Sequence, residues 1–427
     1  MRHAHTAKAH SGDVIVIGAG MAGLGAAREM SDAGRNVVVL EARNRIGGRL
    51  WTDHSCMGIP VERGAELVHG SEASTWQLIT GGGLPTHRLA THMVRHGPRH
   101  TWLRIEDPEI RSFPHSRPLL PDPLPRPLTQ ETALAYLMRL GVEPGNIPLA
   151  LRLVETDTEQ LHALAASEIA ELLNVTFDGR ESDGSSVVEE AADFRVPGGY
   201  DRVATAVAAG LDIRTGAVVR AVRCRSGGVE VVTSERVFFA QAVVVAVPAG
   251  VLQTGMIEFS PSLPSGQRDD IQSVEYLPVY KGLFEFSRPV LPVGWDVAED
   301  PSLAVPCFWN ASAGTSGYRG EVVVAWATGD HARHLLALDR QHQQATALEA
   351  LGSMLGETVL SPIAMETHNW AADPFARGAY PGPLPLPEGI DDPLEGRVFW
   401  AGLVTETIHE SYDSGRRAGQ QALTSLH

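Results

Sequence analysis

Three glycines and one acid offer the first chemistry. Gly18, Gly20 and Gly23 stand in the spacing GxGxxG, and Glu41 follows 23 positions after Gly18. Glycine at 18 permits a tight turn, at 20 it lets a pyrophosphate approach the backbone, and at 23 it lets a helix pack closely on a strand. Free amides at a helix start favour an anion, and a carboxylate such as Glu41 accepts both hydroxyls of a ribose. The spacing alone says little, so the flanking elements decide. Asp13 to Gly18 is a short apolar run that reads as a buried strand. Met21 to Ala33 carries a helical pattern that stops at Gly34, and Asn36 to Leu40 is a second apolar strand ending at the acid. Strand, helix, strand and acid in that order describe a dinucleotide site, with Ala19, Met21 and Ala22 at the turn and helix start.

The residues that follow narrow the ligand. Ala42-Arg43-Asn44-Arg45-Ile46-Gly47-Gly48-Arg49 resembles the ARxRxGGR extension of the flavin-containing amine oxidase superfamily, which includes monoamine, polyamine and L-amino-acid oxidases. In that family FAD rather than NAD occupies the site. The resemblance implies that Gly48 and its neighbour let the chain fold back over the pyrophosphate, flanked by Ala42 and Arg43, and that Arg49 offers it a charge-assisted fork. Gly64-Ala65-Glu66-Leu67-Val68-His69-Gly70 is similar to the family's GAxxxHG segment, which passes the reactive end of the flavin. Gly64, Ala65 and Glu66 would then touch the ring, with Glu66 and His69 facing the substrate. Lys281, inside the strand pattern Tyr280 to Phe286, matches the family's lysine, which holds a water near flavin N5. A lysine in such a strand is costly to bury unless something wet or charged meets it. Lys281, His69 and Glu66 stay open as the proton acceptor.

The resemblance runs on to the C-terminus. Trp370 to Tyr380 (WAADPFARGAY) looks like the family's W..DP...G.Y segment. It implies Trp370 at the cofactor and Tyr380 as an aromatic wall flanking the amine. Monoamine oxidases place a flavin-linked cysteine just before that tyrosine; Ala379 stands there, so non-covalent FAD is expected. Val219 would bond adenine through its backbone. Thr407-Ile408-His409-Glu410 is a capping box opening a helix toward Leu426. The family aims that helix at the flavin's pyrimidine carbonyl, where its dipole favours an anionic reduced ring. Gly402, Leu403, Thr407 and Ile408 complete the expected contacts. Here the pattern also breaks: Leu403 replaces a glutamate, only four residues separate Gly402 from Thr407, and Glu410-Ser411 replace Gly-Ala. Thr407 stands where monoamine oxidases have a second aromatic wall, which makes a simple arylalkylamine a poorer substrate.

The elements that must position these groups fill a chain of 427 residues, enough for two or three domains. The expected architecture is α/β: a Rossmann-like, doubly wound FAD-binding domain from 1–90, 195–262 and 385–427, and an α+β substrate-binding domain from 91–194 and 263–384. The region 90–130, rich in Pro, His and Arg, reads as irregular. Thr129 to Leu140 and Thr158 to Leu173 read as helices, and Arg180 to Ser186 as a polar loop. Val196 to Tyr200 resembles the family's GGY turn, with a helix from Asp201 to Ala209. Strands are expected at Ala217 to Val222, Val229 to Thr233, Val237 to Val247, Glu321 to Ala327 and Arg397 to Gly402, and a helix at Gln343 to Leu355. The chargeless run Val237 to Ile257 is long enough to span a bilayer. Its Gln241, Pro248, Gly250 and Gln253 make a buried strand the better reading.

With 43% hydrophobic and 20% charged residues, the composition is globular, and a net charge of −16 argues against nucleic acid or an anionic membrane as partner. It suits a cationic substrate. Cys56, Cys224 and Cys307 form neither a disulfide framework nor a metal spacing, so no metal is expected and a reducing cytoplasm fits. The N-terminus lacks the apolar core of a signal peptide and reads as a frayed leader. The implied activity is oxidation of a carbon–nitrogen bond of a small amine to an imine or iminium, with O2 returning H2O2. Alternatives are a tailoring oxidase for an amine or amide of a bulky secondary metabolite, a carbon–carbon desaturase, a nicotinamide dehydrogenase, and a flavin-free protein-binding relative of the same fold. The oligomeric state is open between monomer and homodimer.

Overall fold

Five short strands built from valine, isoleucine and leucine form a parallel sheet, in the order Asp212–Arg214, Val37–Leu40, Val14–Ile17, Ala242–Val245 and Val398–Trp400. The coordinates are those of a computed structural model, which describes residues 12–96, 101–104, 125–141, 165–167, 170, 193–300, 302–356, 361–381 and 389–426. Successive side chains on a strand point to opposite faces, and both faces of this sheet are covered. Val14, Val16, Val37, Val39 and Val244 pack with the helices Met21–Asp32, Asp201–Ala208 and Ile408–Ser425. Ile15, Ile17, Val38, Leu40, Val243 and Val245 pack on a second, four-stranded sheet through Val219, Val229, Val231 and Phe238. Each such buried side chain stabilises the layers by ~1.5–3 kcal/mol.

Glycine sets how closely the helices approach. A Cβ on Gly23 would lie 1.9 Å from Gly18 O, and one on Gly415 would lie 1.9 Å from Ala22 O. The first helix therefore sits hard against the first strand on one side and the C-terminal helix on the other. That crossing brings the N-termini of both helices to the same edge of the sheet.

The single strand expected from Val237 to Val247 is two. Val237–Ala240 pairs antiparallel with Gly228–Thr233, whereas Ala242–Val245 lies between Val14–Ile17 and Val398–Trp400 in the parallel sheet. Gln241 marks the crossing, its N–H donating to Asp13 O at 3.0 Å.

A seven-stranded sheet carries the other half of the described chain, in the order Ala364–Thr367, Val279–Phe286, Glu321–Thr328, Cys307–Asn310, Val297–Glu299, His92–His96 and Thr101–Arg104. Its last two strands correct the irregular reading of 90–130. Alternating Met93, Arg95 and Trp102, Arg104 make an edge hairpin, hidden in the sequence by the flanking Pro, His and Arg. Tyr280, Phe284 and Phe286 face the helices Gly329–Leu336 and Arg340–Leu355. Leu283, Trp309 and Val324 face the other way, onto Met57, Ile59 and Val61. The helix expected from Thr129 spans Ala133–Arg139, capped by the Thr132 hydroxyl, because Leu128 to Glu131 form a turn with Gln130 at φ 62°. Most of the helix expected at Thr158 to Leu173 and all of the loop at Arg180 to Ser186 lie outside the described residues. Among the described residues no helix is long and apolar enough to cross a membrane.

Candidate active site

At the carboxyl edge of the parallel sheet a cleft, partly open to solvent, runs between the two helix N-termini. Its walls include Gly18, Gly20, Met21, Ala22, Glu41, Ala42, Arg43, Gly48, Arg49, Val219, Gly402 and Ile408. Twelve of the residues expected at a cofactor thus share one surface. Gly18 has φ +102° and its turn is pressed against Ala246, while a Cβ on Gly20 would meet nothing nearer than Gly48 Cα at 3.8 Å. The first is a conformational glycine and the second keeps a surface clear. The helix Met21–Asp32 has no side-chain cap and no acid in its first turn, so its leading amides are left to a ligand.

Glu41 is buried at the cleft floor, where its two carboxylate oxygens accept from Ala19 N–H at 2.7 Å and Arg43 N–H at 2.8 Å. Those bonds aim the carboxylate and leave it lone pairs. Arg43 pairs with Asp373 at 2.6 Å and lies over the Phe375 ring. The ARNRIGGR loop is thereby fastened to the Trp370–Tyr380 segment.

Arg49 differs most from its expected picture of a fork simply extended to phosphate. It is half-buried, and its guanidinium donates to Ala379 O at 2.6 Å, Thr405 O at 2.8 Å, Thr405 Oγ1 at 3.0 Å and Ser411 Oγ at 3.3 Å. All four acceptors are neutral. Among the described residues no carboxylate lies within ion-pairing distance, and burial pushes its pKa down. A half-buried cation on the wall of a cleft, with the Glu410 and Glu406 charges felt only beyond ion-pairing distance, suits an anionic occupant. A dinucleotide's pyrophosphate meets that need, and the residues present fit FAD.

Other expected contacts have different tasks. Ala19 and Gly23 pack in the core behind the turn. Leu403 buries its side chain on the four-stranded-sheet side, and its carbonyl accepts from Ala249 N–H. Thr407 caps the C-terminal helix: its hydroxyl accepts from Glu410 N–H at 3.2 Å and the Glu410 carboxylate accepts from Thr407 N–H at 3.3 Å. Trp370 is buried, donates through Nε1 to Arg63 O, and abuts Gly64.

Gly64 and Ala65 link the cleft to a second centre. Ala65 N–H donates to Arg49 O at 3.0 Å, and Gly64 O accepts from Lys281 Nζ at 2.9 Å. Lys281 faces away from the helices, on the same side of its strand as Leu283, and is buried. Charge meets it there: Nζ pairs with Glu66 Oε2 at 2.8 Å, and Glu66 Oε1 accepts from Arg195 Nε at 2.7 Å. Burial alone would raise the Glu66 carboxyl, but the two cations and their hydrogen bonds hold it at about 2. Glu66 is thus a fixed anion rather than a proton acceptor. His69 lies on the other side of the chain, half-exposed, with Nδ1–H donating to Asp193 Oδ1 at 2.7 Å.

Aromatic rings border this centre. Lys281 Nζ lies 5.5 Å from the Trp309 ring, Trp309 lies 5.5 Å from Trp326, and Trp326 lies nearly parallel to Tyr380 at 6.5 Å. Trp326 is directly opposite Lys281 in the sheet register. The sequence reading omitted Arg195, Trp309 and Trp326; the available signals were an arginine before the GGY turn and tryptophans in otherwise aliphatic strands. It also omitted the cleft residues Val247, Pro248, Ile257, Phe375 and Ser411. Among the described residues no group of three or more His, Cys, Asp or Glu could hold a metal.

Comparison with known proteins agrees with this geometry. The family profile described as flavin-containing amine oxidoreductase matches residues 21–182 and 167–423. The chain is similar to polyamine oxidase 2 of Arabidopsis thaliana, 28% identical over 446 residues, covering 97% of this chain and 88% of that protein. It is also 28% identical to polyamine oxidase 3 of Oryza sativa subsp. japonica, covering 97% and 90%. In structure it resembles putrescine oxidase bound to putrescine, with a TM-score of 0.76 at 20% identity, covering 97% and 99% of the two chains.

Proposed function

The chain belongs to the flavin-containing amine oxidoreductases and is an FAD-dependent enzyme of amine oxidation; from that premise we propose that it is an oxidase of aliphatic amines using O2 and releasing H2O2. When bound, FAD supplies the two-electron acceptor for hydride leaving the carbon that bears nitrogen. The residues that would hold it are Gly20 and the amides after it, Glu41, Arg49, Val219 and Ile408. Ala379 offers no thiol, which supports non-covalent attachment.

The observation that carries the reading is the position of Lys281. It is bonded to the carbonyl of Gly64, whose neighbour Ala65 donates to the backbone of cleft-lining Arg49, and it stands beside the aromatic face of Trp326 and Tyr380. An amine must be neutral to lose hydride, so a group must take its proton. Lys281 and Glu66 are committed to each other. His69, paired with Asp193 on the other side of the chain, stands apart from them, which leaves solvent as the acceptor. The net charge of −16 suits a cationic substrate drawn from solution, and the polyamine oxidases among the relatives share that preference by name.

A second reading rests on Thr407. Its side chain is engaged in the capping box, so the C-terminal helix contributes no aromatic wall opposite Tyr380. That departure favours a bulkier amine, such as a secondary-metabolite intermediate. The deciding experiment is anaerobic addition of putrescine, spermidine, benzylamine and phenethylamine to the purified yellow protein. Bleaching by the aliphatic amines supports the proposal. A yellow protein bleached by none of the four transfers it to the tailoring reading, and a colourless protein that takes up no FAD overturns both.

A further inference from the structure

The charged centre contains a residue with no role so far. Arg195 is 4% exposed, Glu66 2% and Lys281 4% at their side chains, and the three form one chain of contacts. Arg195 is itself tied down, donating from Nη1 to Ala313 O at 2.9 Å. An ammonium carries three protons. Gly64 O and Glu66 Oε2 take two of them.

We propose that Glu66 and Arg195 are positioning residues for Lys281: Arg195 pins the carboxylate, and the carboxylate with the Gly64 carbonyl orients Nζ so that its third proton alone is left for the side of the aromatic rings that begins at Trp309. The inference rests on the reading of this centre as the site of amine oxidation. Composition supports it independently. Of 35 lysines and arginines in the chain only two are lysines, Lys8 and Lys281. A protein that uses arginine for almost every other cation places a lysine here. Arginine presents a flat five-donor fork, whereas lysine is a compact charge on a flexible stem whose three donors rotate. Such a stem needs outside help to hold one direction, and the Glu66–Arg195 pair gives it. The burial of all three groups makes that help strong, because a carboxylate held between two cations is shielded from bulk solvent.

The scarcity of lysine makes the test direct. FAD-loaded protein labelled with [13Cε]lysine shows two lysine resonances, and Lys281→Met identifies the buried one by its loss. Glu66→Gln is expected to move the Lys281 resonance and to slow the half-reaction that Lys281→Met slows, by about 10- to 100-fold, the usual effect of a misplaced group. Glu66→Asp should recover part of the rate. Lys281→Arg should not recover the rate. The double variant Glu66→Gln/Lys281→Met should be no slower than Lys281→Met alone. An unmoved Lys281 resonance in Glu66→Gln overturns the proposal. So does a double variant slower than Lys281→Met by the full Glu66→Gln factor, since Glu66 would then act independently. If Glu66→Gln alone leaves two facing cations that block folding, Glu66→Asp, which keeps the charge and shortens the reach, supplies the displaced resonance and the rate factor in its place. If the wild type oxidises no amine, the functional reading fails while the resonance still decides the positioning.

Discussion

Replacing Glu62 by glutamine should make the enzyme less sensitive to rising pH. Glu62 lies four residues before Glu66, is buried, and receives only neutral donors: the Thr52 hydroxyl at 2.8 and 3.0 Å and Tyr200 N–H at 2.8 Å. Burial pushes its carboxyl up; the Tyr200 and Thr52 bonds and Lys281 offset part of this, the Glu66 charge adds to it, and the result is about 7 against an ordinary 4.5. An acid raised by folding holds its proton more tightly in the native state than in the unfolded chain. Its contribution to stability is therefore full below pH 4.5 and is lost as pH rises through about 7, with no further change above. At ~1.4 kcal/mol per pKa unit the loss is about 3 kcal/mol. With an unfolding entropy of ~2.1 cal/mol/K per residue, a chain of 427 residues converts that into a Tm change of about 3 °C. Glu62→Gln keeps the shape and an acceptor but never ionises. In thermal scans at matched rates, its Tm relative to wild type should climb by about that amount between pH 5 and pH 8. A difference that is the same at both pH values would refute the reasoning, and would mean that the Glu62 charge is already compensated.

Three further substitutions test the cleft. Gly23→Ala should yield no soluble FAD-loaded protein, because its methyl would sit 1.9 Å from the Gly18 carbonyl; recovery of yellow protein at wild-type level sinks that claim. Glu41→Gln removes the charge at the cleft floor and should weaken FAD binding about 10- to 100-fold, the worth of one charge-assisted hydrogen bond, read from quenching of flavin fluorescence. Thr407→Ala should lower stability by about 1 kcal/mol through loss of the cap, measured by denaturant titration, with Glu410→Ala as a milder companion. An unchanged midpoint in Thr407→Ala would show that the box is dispensable.

What was legible in the sequence is what the chain writes locally. The turn at Gly18, the clearance at Gly20, the acid at Glu41 and the box at Thr407 each depend on neighbours a few residues away or on one short strand–helix–strand unit. Lys281 was legible because a charge in an apolar strand demands a partner. The partners were not, since they are set by register across distance: Glu66 and Arg195 are 129 positions apart, and Trp326 faces Lys281 only because Val279 pairs with Thr328. The run Val237 to Val247 failed for a related reason. A continuous apolar stretch carries no mark of which sheet it joins, and Gln241 alone interrupts it.

Charge balance separates the two halves of the site in a way that residue types do not. Half-buried Arg49 and buried Lys281 are both cations expected near one ligand, yet their surroundings are opposite. Around Arg49 every described acceptor is neutral and Glu410 and Glu406 act on it only from beyond ion-pairing distance, so a direct partner for its charge is left to whatever fills the cleft. Around Lys281 the protein brings its own anion, clamps it with Arg195, and places Glu62 close enough to be felt by both Glu66 and Lys281. One region therefore asks for a pyrophosphate, and the other offers, beside aromatic rings, two cations against the Glu66 anion, a surface that becomes compensated as Glu62 ionises near pH 7. A compensated surface is the right host for an amine that must arrive or become neutral before it can lose hydride, because an unbalanced cation would repel it and an unbalanced carboxylate would keep it charged. Lys281→Met disturbs that balance as well as removing a donor, which is why its effect is interpretable only beside the charge-neutral double variant with Glu66→Gln.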